Sequence, residues 1–297
     1  MTSQTKAYVF GSLTVLFWAT AASAFKIGLG YLSFIQLLFI ANLTSQVILS
    51  VFIIARGEIV EISKARGKDL LHSAFLGLLN PFGYYLILLK AYSLLPAQVA
   101  QPLNFIWPVM LVFLAVPILG RKLSRWSIVA LLVSFVGVAL ISSQGNLSSF
   151  GSSNPLGVML ALSSSLLWAL FWVLNVKDKR PEEIKLFLNF LFSFIYLLVI
   201  SPFIPGFYSI DPVGIPAGIY VGCFEMGFAF LFWLKALSIS KSTDKLGNII
   251  YLVPFLSLIF IHFVLGESLY WTTFAGLILI VVSVIFQQVI DKKTHLL

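Results

Sequence analysis

Leu89-Lys90-Ala91-Tyr92-Ser93 returns 145 residues later as Leu234-Lys235-Ala236-Leu237-Ser238, and this echo decides the fold. Other pairs stand in the same order. Leu16-Phe17-Trp18-Ala19 matches Leu166-Leu167-Trp168-Ala169, Pro108 matches Pro254, and Gly120 matches Gly266. A chain of 297 residues that repeats at half its length predicts two homologous halves, 1–145 and 146–297.

The repeated unit is built for lipid. The chain is 60% hydrophobic and only 10% charged, with a mean hydropathy of +1.01. A soluble fold would lack the charge to cover its surface, which excludes a water-soluble enzyme, a nucleic-acid binder and a disordered regulator. A bilayer core about 30 Å thick needs about 20 apolar residues per helix. Runs of that kind fall at about 7–27, 33–55, 70–92, 96–119 and 124–143 in the first half. The second half holds about 155–175, 184–204, 214–238, 242–265 and 271–290. Five spans per half is an odd number, so the second half enters the membrane from the opposite side. The predicted fold is all-α and integral to the membrane, with ten transmembrane helices as two inverted five-helix repeats. Such repeats place a substrate site near the midplane, between the halves.

Charge sets the orientation. With both termini cytoplasmic, 17 of the 19 basic residues lie on the inner side, leaving Lys26 and Lys90 toward the outside. Among the inner ones are Lys6, Arg56, Arg121, Lys122, Lys177, Arg180, Lys241 and Lys245. Ala19 to Phe25 imitates a signal-peptidase site, but a span duplicated later in the chain is expected to remain as structure. One cysteine, Cys223, and the absence of metal-ligand spacing predict no disulfide, metal or cofactor.

Of the 11 acidic residues only Glu225 sits well inside a span, which makes it the first site candidate. Its repeat mate is Asn80. Regular helical spacing puts Ser73, Gly77, Asn80 and Tyr84 on one face of the third span, and Gly218, Gly222, Glu225 and Ala229 on the matching face of the eighth. Either face could line a cavity or form a small-residue packing seam. Trp18 and Trp168 fall at mid-depth and are expected to face each other across the cavity. With Trp107, Trp172 and Tyr84 they offer an aromatic wall for flat or cationic ligands. Gln98, Gln101 and Asn104, flanked by Pro102 and Pro108, predict a bent, polar fourth span. Lys90 and Lys235 read as snorkelling side chains or gate charges.

The two repeats, Pro108, Pro254 and Gly266-Glu267 resemble the drug/metabolite transporter superfamily, in its EamA-type ten-helix group. Asn104-Phe105-Ile106-Trp107-Pro108, with Trp168 and Asn175, resembles the YddG-like aromatic amino acid exporters. The first half departs from the family in ending Gly120-Arg121-Lys122 where Gly-Glu is common. The resemblance implies a bacterial or archaeal inner-membrane exporter working by alternating access. Its partners would be a small solute, such as an amino acid with an aromatic or apolar side chain, the lipid bilayer and a coupling proton, with no nucleic acid. The rivals are a carrier of anionic metabolites using Lys26, Lys90 and Lys235, and a membrane enzyme or receptor.

Overall fold

The computed structural model describes residues 2–120, 125–146, 153–175, 178–240, 246 and 248–294. Arg121, Lys122, Lys177, Lys241, Asp244 and Lys245 therefore lie outside the described residues. The described chain is helical and contains no strand. Among the described residues, eight helices are long and apolar enough to cross a membrane. In the first half these are α1 (Ser3–Leu29), α2 (Phe34–Ala55), α3 (Gly67–Leu94), α4 (Ala97–Leu119) and α5 (Arg125–Ser142). The second half contributes α6 (Pro155–Asn175), α7 (Glu182–Phe203) and α8 (Pro212–Ile239). Two shorter apolar helices complete the ten, α9 (Ile249–Leu265) and α10 (Trp271–Thr294).

Packing between the halves comes in exchanged pairs. α1 lies on α8 and α9, and α6, its mate, lies on α3 and α4. α2 packs on α8 while α7 packs on α3. Other pairs, chiefly α2 with α7 and α5 with α10, join a helix to its own mate. α5 and α10 run antiparallel: Trp126 meets Phe286, and Gly145 meets Tyr270 at the other end. Between them Ser134 and Ser283 share a 2.7 Å hydrogen bond. In the α2–α7 pair Asn42 Nδ2 donates to Ser193 Oγ at 2.6 Å. These are the contacts expected of a pseudo-two-fold axis in the membrane plane.

The repeated residues have matching local duties. Gly120 and Gly266 end α4 and α9 in the left-handed conformation, both with φ of 69°, where a Cβ would be strained. The winding of α4 is interrupted at Phe105 and Ile106, just before Pro108. α3 and α8 are also interrupted, at equivalent positions: Leu78–Gly83 and Val221–Phe228 wind as wider π-type turns. Asn80 is extended there (φ −150°, ψ 123°), before a cis bond to Pro81. Inserted π turns recur at functional sites because they re-aim side chains that regular winding would stack.

Candidate functional site

A cavity of about 340 Å³ lies between α1, α3, α4, α6, α8 and α9. That volume suits a small organic molecule. The π turn of α8 presents Glu225 to it, and α1 and α6 present Trp18 and Trp168. Tyr84, Gln101, Asn104, Trp107 and Trp172 complete the set of sequence-predicted residues that line it. Asn80 does not. It is fully buried, neither of its side-chain polar atoms has a hydrogen-bond partner among the described residues, and its turn packs on α6 and α7.

The faces read from regular spacing therefore divide. A Cβ on Gly77 would meet the Asn189 carbonyl of α7, and one on Gly222 would meet the Ala41 carbonyl of α2. Gly218 likewise abuts Ile40, and Ser73 accepts a hydrogen bond from Arg180 Nη2 at 2.8 Å. These residues form seams and loop contacts, leaving Tyr84 and Glu225 as the members that reach the cavity. Spacing did hold a signal for one residue not named from sequence: Trp233, two steps of four beyond Glu225, also lines it.

Trp168 is the hub of the aromatic lining. Its ring lies 4.7 Å from Tyr84, 5.8 Å from Trp172 and 6.5 Å from Trp107, centroid to centroid. Trp18 does not face it across open space as expected. The two indoles lie edge to face with centroids 6.4 Å apart, and so make one wall. The indole N–H of Trp18 donates to the Glu225 carbonyl at 3.3 Å, which satisfies a donor otherwise stranded in a dry interior.

Glu225 is 7% exposed. Its Oε1 accepts from the Tyr85 hydroxyl at 3.1 Å, while Oε2 has no hydrogen-bond partner among the described residues. Asn104 is anchored on both sides, accepting from the Tyr84 hydroxyl at 3.2 Å and donating to Ser164 Oγ at 2.9 Å. The described lining contains no Lys, Arg or His.

The two ends of the cavity differ. On α4 the lining continues through Leu111, Ala115 and Leu119, and it includes Val173 and Leu237 near the ends of α6 and α8. This is the end where Arg56, Arg66 and Arg180 cluster. At the opposite end a polar latch closes the structure. Lys26 Nζ donates to the carbonyls of Tyr92 and Leu95 at 3.0 and 3.1 Å, and Tyr92 donates to Gln101. Glu267 caps the start of α4, accepting from the backbone N–H groups of Ala97 and Gln98 at 2.8 and 3.0 Å. Gln98 returns a bond to the Ser268 carbonyl at 2.7 Å, so it belongs to the latch and not to the lining.

Lys90 lies 5.2 Å from the Phe34 ring and Lys235 is exposed, so both sit away from the cavity as snorkelling side chains do. His262 contacts the Glu267 carbonyl at 3.0 Å. At the basic end Arg180 ties the α6–α7 connection to α3 through Ser73 and the Asp69 carbonyl. Burial pushes the Asp178 carboxyl up, but hydrogen bonds from Arg180 and the charges of Arg180 and Lys185 outweigh it and hold it below its ordinary value. No group of residues able to hold a metal ion occurs among the described residues.

Comparison with known proteins agrees with this geometry. Residues 5–143 and 155–287 each match the EamA-like transporter family. An "Uncharacterized transporter" of Archaeoglobus fulgidus is 28% identical over 93% of this chain and 95% of its own. One from Clostridium kluyveri is 25% identical over 98% of this chain and 95% of its own. YvbV of Bacillus subtilis, also an "Uncharacterized transporter", is 27% identical over 70% and 68%. A solved crystal structure shares the fold with a TM-score of 0.68, at 19% identity over 98% of this chain and 99% of that one.

Proposed function

We propose that this chain, which belongs to the EamA-like transporter family and is a multi-pass membrane transporter of small solutes, exports amino acids or related metabolites with aromatic or apolar side chains. The observation that carries the reading is the carboxyl-bearing Glu225 in the lining of a cavity walled by tryptophans. The indole faces hold the apolar part of the solute, Asn104 and Gln101 fix its orientation, and Glu225 meets its amino end or a coupling proton. The Asn104–Pro108 segment supports the YddG-like variant of this reading, since Asn104 and Trp107 both line the cavity.

The transport cycle is alternating access. Packing in exchanged pairs lets the halves trade roles, so the latch at Lys26, Tyr92 and Glu267 opens as the end lined by Leu119 and Leu237 closes. The excess of Lys and Arg at the latter end supports a cytoplasmic position for it and for both termini, in a bacterial or archaeal inner membrane. The halves divide at 145/146, between the two family matches. An anionic solute would need a cation in the lining, and Lys26, Lys90 and Lys235 do not supply one.

Flux into proteoliposomes over a panel of amino acids, with and without a pH gradient, tests the proposal. Aromatic and large apolar members should move and small polar ones should not; uniform or absent flux would reject it.

A further inference from the structure

We infer that the cavity selects by charge: among solutes with an aromatic or apolar body, it binds those whose only charge is a positive amine more tightly than the amino acids that also carry a carboxylate. The inference rests on the transport reading above and narrows its substrate class. It follows from an imbalance in the lining. One carboxyl, that of Glu225, enters the cavity, and no described lining residue carries a positive charge to answer a solute's own carboxylate.

The lysine with the best opportunity is Lys26, on the helix that contributes Trp18. Its Nζ is held by the carbonyls of Tyr92 and Leu95 in the latch, beyond the lining. The neutral polar groups are only partly engaged, and none carries a charge. Asn104 spends its amide on Ser164 and Tyr84, and the Gln101 carbonyl accepts from Tyr92. A zwitterion in this space would have only neutral donors, such as the Gln101 amide, to offset the desolvation of its carboxylate, a large cost in a low-dielectric site. A cation meets the opposite conditions. Glu225 lies in the lining, and the indole faces of Trp168, Trp107 and Trp172 supply negative π potential around the same space. Tyr85 holds the carboxyl in place through Oε1, and the buried Oε2 has no hydrogen-bond partner among the described residues.

Binding of four ligands that share one phenyl group but differ in charge, measured by titration calorimetry on the purified full chain in lipid nanodiscs, tests this. They are 2-phenylethylammonium (cation), 2-phenylethanol (neutral), phenylalanine (zwitterion) and 3-phenylpropionate (anion). The ammonium should bind at least about ten-fold more tightly than phenylalanine or the alcohol, and the propionate least of all. In Glu225→Gln the ammonium should fall to the level of the alcohol, whose own affinity should stay unchanged. Phenylalanine binding as tightly as the ammonium would overturn the charge rule while leaving the transport reading intact. A folded Glu225→Gln protein that keeps the full preference would also overturn it. If that variant does not fold, the unsubstituted chain decides the matter through the four ligands alone. If none of the four binds and the flux panel is also silent, the transport reading fails and the charge rule falls with it.

Discussion

Asn80 and Glu225 occupy equivalent places in the two halves, each in a π-type turn that breaks its helix, yet only Glu225 reaches the cavity. Three residues earlier the comparison comes out the other way. Gly77 and Gly222 are also mates, and both bring their helix against a backbone carbonyl of the neighbouring mate helix, Asn189 of α7 and Ala41 of α2. The inverted repeat thus preserves the scaffold, because close helix packing depends on residue size alone. Charge is a different matter. A second carboxyl across the pseudo-axis would repel the first in a low-dielectric interior, so one half carries the chemistry and the other carries a neutral amide.

The most forceful way to break this comparison is to neutralise Glu225. Glu225→Gln retains size and hydrogen-bonding reach, and transport should fall by about ten-fold or more with little loss of folded protein. Asn80→Ala should leave transport unchanged, since that side chain neither lines the cavity nor has a partner among the described residues. Equal losses from both, in proteoliposome flux normalised to folded protein, would mean that the two π turns act alike.

Next in size is the scaffold. Gly77→Ala and Gly222→Ala should each destabilise the protein by about 1–3 kcal/mol through overpacking, and by similar amounts. Thermal unfolding in detergent measures both, and a cost confined to one half would show that the seams are not equivalent. Smallest is the aromatic wall. Trp168→Ala and Trp18→Ala should weaken binding of an aromatic solute by about 0.5–1.5 kcal/mol, with the phenylalanine-sized Trp→Phe change milder. Trp168 should cost more than Trp18, because its ring meets Tyr84, Trp107 and Trp172 as well. Competition binding ranks the two, and equal losses for aromatic and small aliphatic solutes would mean that these indoles only pack helices.

Much of this was legible before any coordinates. Hydropathy runs and the echo at Leu89–Ser93 and Leu234–Ser238 give ten spans in inverted halves, because lipid forces every span to be apolar and the repeat fixes their pairing. Glu225 stood out since a carboxyl is rare and costly at that depth. Asn80 was misplaced because helical spacing assumes unbroken winding, and its extended backbone resets the register within the span. The edge contact of Trp18 with Trp168 depends on how closely α1 and α6 approach, which neither span contains on its own. The capping role of Glu267 was equally hidden, since Ala97 and Gln98 lie far away in sequence. Lysine positions pointed to membrane depth, but only the structure shows that Lys26 is held by backbone carbonyls in a latch.

The central claim is that the solute occupies this one cavity, and protection from labelling tests it most directly. Cys223 is the only cysteine of the chain, so a variant lacking it can carry a single probe at Leu237→Cys, at the basic end of the lining. In membranes exposing that end, an impermeant thiol reagent should label the probe, and a saturating aromatic amine should slow the labelling several-fold. With Glu225→Gln added, the same amine should no longer protect. Labelling that proceeds at one rate with and without the transported solute would contradict the claim and place the solute elsewhere.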